Sequence, residues 1–547
     1  MTLRTLACAT FAISVAAPGL PGRLALGAQD TGRLSDSPWR WMWTPIRPIA
    51  GLGLPSPIAT HASRALELPR PVVGLAWSAR NPAGLADDIR EEFTRVTLAA
   101  HGLQGAYRVA TSPARVSSFV AEYGGWRQLR TRSAVIGRVA VERTGQQAGN
   151  RSVLVAPDLS SPFVPTDTNA PATARTRVTL EGGQGVRLGR WRLGIAFGYE
   201  GTSDNAERSS IAVVRRASSG GVSVGAARAL GESGSVGFMA RRLSRNETAS
   251  VFPNPGTVRL YLLDGFVNVS PQDFMLEGNP FFRRADRFGD ALGVNASGRL
   301  WSAAWSAWAN GERNAERQIA LVATNVPVQR WTTTGYDVGA AAQRTFGNVL
   351  ATALAAGALQ HGVTVRAPVT SRQFEAEASR FTILSDLRWT PPRSTWGVAA
   401  VLRVDRQWQQ ATDRAARTST DIATWNPAAH VEVTRAVSRA WSCSAGFGAG
   451  YYIPFATIPS VTARGDAYLK LLAPAFEVAA APARTNALSF TGRWQRATNA
   501  IVMRTAWSST APTQRALDAF FLPKGRRGEW TVSVSVLPAG SALVAQP

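Results

Sequence analysis

The strongest constraint in this chain is a strict alternation of large apolar residues with small or charged ones. In residues 191–200 the odd positions are Trp191, Leu193, Ile195, Phe197 and Tyr199. The even positions are Arg192, Gly194, Ala196, Gly198 and Glu200. Successive side chains on a strand point to opposite faces, so this segment has one bulky apolar face and one small or charged face. The division recurs in Trp396, Val398, Ala400, Leu402 and Val404 against Gly397, Ala399, Val401, Arg403 and Asp405, with Trp408 closing the first face. It returns in Trp441, Cys443, Ala445, Phe447, Ala449 and Tyr451 against Ser442, Ser444, Gly446, Gly448 and Gly450, and again around Trp530. Near residues 374–389 the alternation is blurred and assigns no face.

The aromatics say what the apolar face touches. The pairs Trp191/Tyr199, Trp396/Trp408 and Trp441/Tyr451 bracket their strands. Tilted membrane-spanning strands need about 9–11 residues and carry aromatic girdles at both interfaces. A soluble sandwich also alternates but has no reason to place Trp or Tyr at both ends of its apolar face. The opposite face, rich in Gly, Ser, Ala and Arg, suits a polar lumen. The expected fold is all-β: a transmembrane antiparallel β-barrel, closed because lipid cannot satisfy the backbone groups of an open edge. The 91–537 stretch, at roughly 25 residues per strand and connection, gives about 16–20 strands.

The flanks divide the rest. Residues 1–28 read as a secretory signal peptide: Arg4 is followed by the uncharged stretch 6–17 and by small residues ending at Ala28. Residues 29–90 are Pro-rich and are expected to be a periplasmic or lumen-plugging segment. Residues 538–547 form a tail without the terminal aromatic that barrel-insertion machinery reads in many bacterial barrels, although that machinery is an expected partner. Short turns are expected at 187–190 and 231–234, and polar stretches such as 145–173 and 409–424 read as extracellular loops.

Composition narrows the function. Lys+Arg number 60 against 36 Asp+Glu, a formal charge of +24, and Lys470 and Lys524 are the only lysines. With 45% hydrophobic residues and 18 Trp the chain is too apolar for a solvated coil. Two cysteines exclude a disulfide scaffold. Nucleic-acid binders cluster their basic residues, whereas the doublets here are scattered and export separates the chain from nucleic acid, so no nucleic-acid partner is expected. Inward arginines would bias a pore towards anions. Arginines near strand ends could pair with phosphates of outer-membrane lipids, including lipopolysaccharide. A general preference for Arg over Lys explains the ratio but not the surplus.

Catalytic patterns are sparse. Neither lysine is followed by Ser or Thr, which excludes a Walker phosphate loop. Gly221-Val222-Ser223-Val224-Gly225 matches a hydrolase nucleophile pattern, but its valines continue a strand rather than a strand–turn–helix elbow. The four histidines lack metal-ligand spacing. His430 and Glu432 share the face opposite Val431 and Val433 and are expected to line the lumen with Arg192, Glu200, Arg403 and Asp405. No enzymatic site, cofactor or metal is expected, and the oligomeric state is left open.

Residues 78–86 (Ser-Ala-Arg-Asn-Pro-Ala-Gly-Leu-Ala), 119–126 and Ile136-Gly137-Arg138, with a middle region at Tyr261-Leu262-Leu263-Asp264-Gly265, resemble an uncharacterised bacterial outer-membrane β-barrel family. That resemblance implies a barrel and a location, not a substrate. Asn81-Pro82-Ala83-Gly84-Leu85 is also similar to a motif near the start of outer-membrane long-chain fatty-acid transporters, where it belongs to an N-terminal plug. A turn-forming Asn-Pro before a strand is the other reading. The leading expectation is a porin-like or gated conduit for small solutes. A structural barrel without transport and a hydrophobic-substrate transporter are the alternatives.

Overall fold

The computed structural model describes residues 80–537 apart from 87–92, 106–112, 131, 148–163, 168–171, 208–210, 232–233, 254–259, 265–267, 273–280, 323, 367–371, 392–393, 415–416, 439, 458–472, 497–498 and 514–524. The expected signal peptide, residues 29–79 and the tail lie outside them. In chain order the strands are β1 (Phe93–Gly105), β2 (Arg115–Arg130), β3 (Ser133–Gln147), β4 (Val164–Asp167), β5 (Ala172–Leu188), β6 (Trp191–Glu207) and β7 (Ile211–Leu230). They continue as β8 (Gly234–Pro253), β9 (Leu260–Asp264), β10 (Asn268–Gln272), β11 (Phe281–Leu300), β12 (Ala303–Val322), β13 (Thr324–Phe346) and β14 (Val349–Arg366). The last are β15 (Arg372–Trp389), β16 (Trp396–Asp413), β17 (Thr418–Ala436), β18 (Trp441–Thr457), β19 (Ala483–Arg496), β20 (Asn499–Pro512) and β21 (Arg527–Leu537).

All but β4, β9 and β10 form one 18-stranded antiparallel sheet. The pairing of β1 with β21, from Val96↔Val536 to Gly105↔Arg527, closes it into a barrel. Closure leaves no unpaired edge, which is what a hydrocarbon environment requires. The remaining three strands make a small sheet in the connections, where Tyr261, Leu262 and Leu263 pair with both β4 and β10.

The two ends of the barrel differ. At one end every connection is two to six residues long. Two of these turns, Gly189-Arg190 and Gly347-Asn348, have glycine at φ +62° and +55°, the positive φ that two-residue hairpin turns demand. The opposite end carries the long connections 148–171, 254–280, 458–482 and 513–526. The third contains helix α1 (Ala473–Ala480). Short turns on the periplasmic side and long loops outside are the general pattern of outer-membrane barrels.

Alternation becomes inside and outside. On β6, Trp191 and Phe197 are 50% and 54% exposed, while Ala196 between them is 0% exposed. Leu98, Phe119, Phe238, Leu292, Val338, Ile383, Leu402 and Phe447 are likewise exposed on the outer face. Such an apolar band is stable only against lipid or a large partner surface. The strand at 372–389 reads poorly because both its faces are mixed: Ser379 and Ser385 lie outside, while buried Phe374, Ala376 and Leu384 face inward. Its pairing with β14 also slips at Thr364/Val365. The stretch 409–424 is not a loop. β16 runs to Asp413 and β17 starts at Thr418, so only 414–417 connect them. The segment is polar because strands of 18 and 19 residues outrun the apolar band and continue beyond it.

Candidate functional site

The site is built on the inner wall near the short-turn end, where chain 81–86 is seated. Asn81 Oδ1 accepts from the Ala83 N–H at 2.9 Å and Asn81 O from the Gly84 N–H at 3.1 Å. These bonds turn the chain into a 3-10 helix, Pro82–Ala86, which tolerates Pro at its first position because that N–H has no partner to lose. Residues Asn81, Pro82, Ala83, Gly84 and Leu85 are all buried.

Glycines make the seat. A Cβ on Gly194 would lie 2.2 Å from the Pro82 carbonyl carbon and oxygen, and one on Gly185 2.7 Å from the Ala86 nitrogen. A Cβ on Gly225 would fall 1.9 Å from Asn81 Oδ1, and one on Gly237 2.8 Å from Asn81 Nδ2. Here strand glycines serve close backbone approach. The Asn81 amide donates to Phe238 O (3.1 Å), Asn295 Oδ1 (3.3 Å) and Ala226 O (3.4 Å), which ties it to β7, β8 and β11. Each bond is worth about 0.5–1.5 kcal/mol net. Leu85 is fully buried beside Ile136 and Gly183, adding about 1.5–3 kcal/mol.

Towards the long-connection end the same wall becomes a ladder of buried ion pairs. Arg175 and Arg215 both pair with Asp204, at 2.7 and 3.1 Å, and both stand directly opposite it in the strand register. Arg138 bridges Glu122 (2.8 Å) and Glu181 (3.0 Å), while Arg95 joins Glu122 from β1. Arg177 lies between Glu142 and Glu200. Arg241 meets Glu312 at 2.9 Å. Buried charges persist only when paired in this way.

The residues singled out in the sequence fall on the expected faces but do not form one site. Arg192 and Glu200 are on the inner face of β6, and Glu200 binds Arg177. Arg403 and Asp405 are on the inner face of β16, paired at 2.7 Å, with Arg380 also on Asp405 at 3.2 Å. His430 and Glu432 line the inner face of β17. The His430 ring lies over β18: a Cβ on Gly446 would meet its Nε2 at 2.6 Å and Ser489 Oγ at 2.5 Å. β6 and β16 stand on opposite sides of the barrel, so among these six the structure pairs Arg403 with Asp405 and sets His430 beside Glu432 on the neighbouring β17. Ser223 is a buried inner-face residue in mid-strand, with no elbow around it.

The aromatic residues are on the outer face. Arg228 stands 5.6 Å over the Trp191 ring and Arg435 4.8 Å over Trp396 at the short-turn level. Arg484 stands 5.7 Å over Tyr451 and Arg406 5.6 Å over Trp425 at the other. Trp441 contacts Trp494, with centroids 6.4 Å apart. Trp408 donates its indole N–H to Asp421 at 2.9 Å. Tyr199 is exposed. Part of the arginine surplus is thus spent as cation–π partners of the girdle.

Sequence reading missed the seat glycines, Asn295, and the acids Glu122, Glu181, Asp204 and Glu312. The glycines do recur on the small face of each strand, which is a signal. What they receive is not, because the segment comes from about 100 or more positions away. The acids become partners only once register is known. At the long-connection end, Tyr452 on the inner face of β18 donates its hydroxyl to Ala479 O of α1 at 2.6 Å. Among the described residues no group of three or more His, Cys, Asp or Glu is placed to hold a metal ion.

A closed barrel with an apolar outer band, aromatic–arginine girdles and a charged inner wall is a membrane-spanning β-barrel of the outer-membrane type. The chain belongs to the family of unknown function DUF6850, whose profile matches residues 82–537. No curated protein matches it. Among solved structures it is similar to BauA, the ferric preacinetobactin receptor from Acinetobacter baumannii (9% identity, TM-score 0.38, 82% of this chain and 80% of that one). It is similar too to the outer membrane transporter YddB from Escherichia coli (6%, 0.38, 82% and 81%). A third is a mutant of the TodX monoaromatic hydrocarbon channel (9%, 0.27, 84% and 92%).

Proposed function

We propose that the protein is a gated conduit for small solutes across the outer membrane, with residues 81–86 as the inward-seated part of its gate. The observation that carries this reading is the glycine seat. Four strands give up their side chains where the segment lies, so that its backbone can sit against β5 and β6 and the Asn81 side chain against β7 and β8. A segment whose only task was to turn into β1 would need no such seat. Its hold on the wall is a few hydrogen bonds, the buried Leu85 and the smaller contacts of Pro82 and Ala83, a scale that a solute or a partner can overcome.

The ladder above the seat supports a selective path with a modest anion preference. Asp204 and Asp405 each hold two guanidiniums to one carboxylate, leaving local positive charge. Arg95 and Arg138 balance Glu122 and Glu181, while Arg177 faces the two carboxylates Glu142 and Glu200, so the positive excess is local to Asp204 and Asp405. Rings of charge of this kind set ion preference in pores. Planar-bilayer recording tests the proposal. The full chain should show low or intermittent conductance, deletion of 80–86 should raise it, and the reversal potential in a salt gradient should favour anions. No current from either protein would sink the conduit reading and leave a structural barrel.

A further inference from the structure

Outside the lumen the arginines are unevenly distributed around the barrel. On the outer faces of β7, β8, β11 and β12, beyond the apolar band as counted from the short-turn end, five exposed arginines fall in neighbouring rows. Asp290 has Arg242 on one side and Arg313 on the other. Asp286, four residues further along the strand, lies between Asn246 and Arg317. In the row above, Thr248 separates Arg216 from Arg284. Strands lie ~4.8 Å apart, so cations at the two ends of a row are ~10 Å apart.

Two carboxylates face these five guanidiniums, with Arg284 2.9 Å from Asp286 and Arg242 3.9 Å from Asp290. The exposed rings and chains of Phe288 and Leu292 flank Asp290 on the same face. At comparable height across the barrel, the row His361, Glu377, Gln410, Asp421 holds two carboxylates and no arginine. Arg143, Arg406 and Arg484 are exposed on other strands at this level, but none has a second arginine directly across on an adjacent strand, so the clustering belongs to the face of β7, β8, β11 and β12.

We infer that this face of β7, β8, β11 and β12 binds the phosphates of an anionic glycolipid headgroup in the leaflet on the long-connection side. The planar guanidinium fork matches phosphate oxygens two at a time. The row spacing lets one headgroup phosphate bridge two arginines. Phe288 and Leu292, at the edge of the apolar band, meet the first methylenes of the acyl chains. Anionic headgroups attract basic residues at this level additively. The inference rests on the outer-membrane placement of the barrel.

The test uses the full chain in phosphatidylcholine vesicles, with retention of fluorescent lipid A measured beside dephosphorylated lipid A, and inorganic phosphate as competitor. The wild type should retain lipid A and discriminate against the dephosphorylated form. Arg242→Gln/Arg284→Gln/Arg313→Gln/Arg317→Gln should weaken retention about tenfold or more. Arg344→Gln/Arg496→Gln, on the outer face at the short-turn side, should leave it unchanged. If the quadruple variant lacks the heat-dependent gel shift of a folded barrel, Arg313→Gln/Arg317→Gln should still weaken retention about threefold. Equal retention by variant and wild type, equal retention of dephosphorylated lipid A, or full displacement by inorganic phosphate would each overturn the lipid site. A wild type that inserts but retains no lipid A defeats the patch alone. One that does not insert defeats the membrane placement and the patch with it.

Discussion

Two glycine-lined patches on the inner wall use the same vacancy for different ends. On β5 to β8, Gly185, Gly194, Gly225 and Gly237 admit a segment from elsewhere in the chain, and the atoms that fill the gap at Gly185 and Gly194 include main chain of Pro82, Ala83 and Ala86. On β18, Gly446 and Gly448 admit the imidazole of His430 from the neighbouring strand. Main chain cannot shrink or rotate away, so at Gly185 and Gly194 the first patch tolerates no Cβ without losing its occupant. A side-chain ring can swing aside, so the second can adjust. The difference marks one patch as a seat for a movable element and the other as local wall packing.

Substitutions can break this contrast. The largest effect is expected from Gly194→Val, whose Cβ would fall 2.2 Å from Pro82. It should unseat 81–86, seen as fast maleimide labelling of an added Ala83→Cys that stays protected in the wild-type background. Protection surviving Gly194→Val would mean that the seat is not needed. Next, Asp204→Asn strips two buried arginines of their shared carboxylate and should cost about 3–5 kcal/mol in a urea unfolding titration. A loss below 1 kcal/mol would show that the ladder is hydrated rather than dry. Asn81→Ala removes the three bonds to the wall and should weaken seating by about 1.5–4.5 kcal/mol, read from the same labelling rates while global stability holds. Smallest, Gly446→Ala should shift His430 and cost about 1–3 kcal/mol of stability with conductance unaltered. A conductance change there would erase the distinction between the patches.

The outward face was legible because lipid demands an unbroken apolar stripe, and Trp191 to Tyr199 supply one at every second residue. Inward residues were legible only as a class. Arg192 and Arg403 both read as inward, yet nothing in their spacing tells that Arg403 shares Asp405 with Arg380, because that contact depends on the register of β15 against β16. The blurred stretch at 374–389 failed for a related reason: Ser379 and Ser385 interrupt the outer stripe of Phe381, Ile383, Leu387 and Trp389, while Phe374 and Leu384 put apolar bulk on the inner face.

The pentapeptide Asn81–Leu85 shows the same boundary. Its residue types permit a turn wherever the chain places them, and Asn81 supplies that turn through Ala83. Alternation, aromatic spacing and the number of strands that fit the length were set by the sequence itself, since each depends on local geometry and on the solvent at each face. Where the segment sits, which acid meets which arginine, and on which side the outer arginines gather were decided by the closed barrel. Those outcomes depend on bringing together strands far apart in the chain, and only register and closure do that.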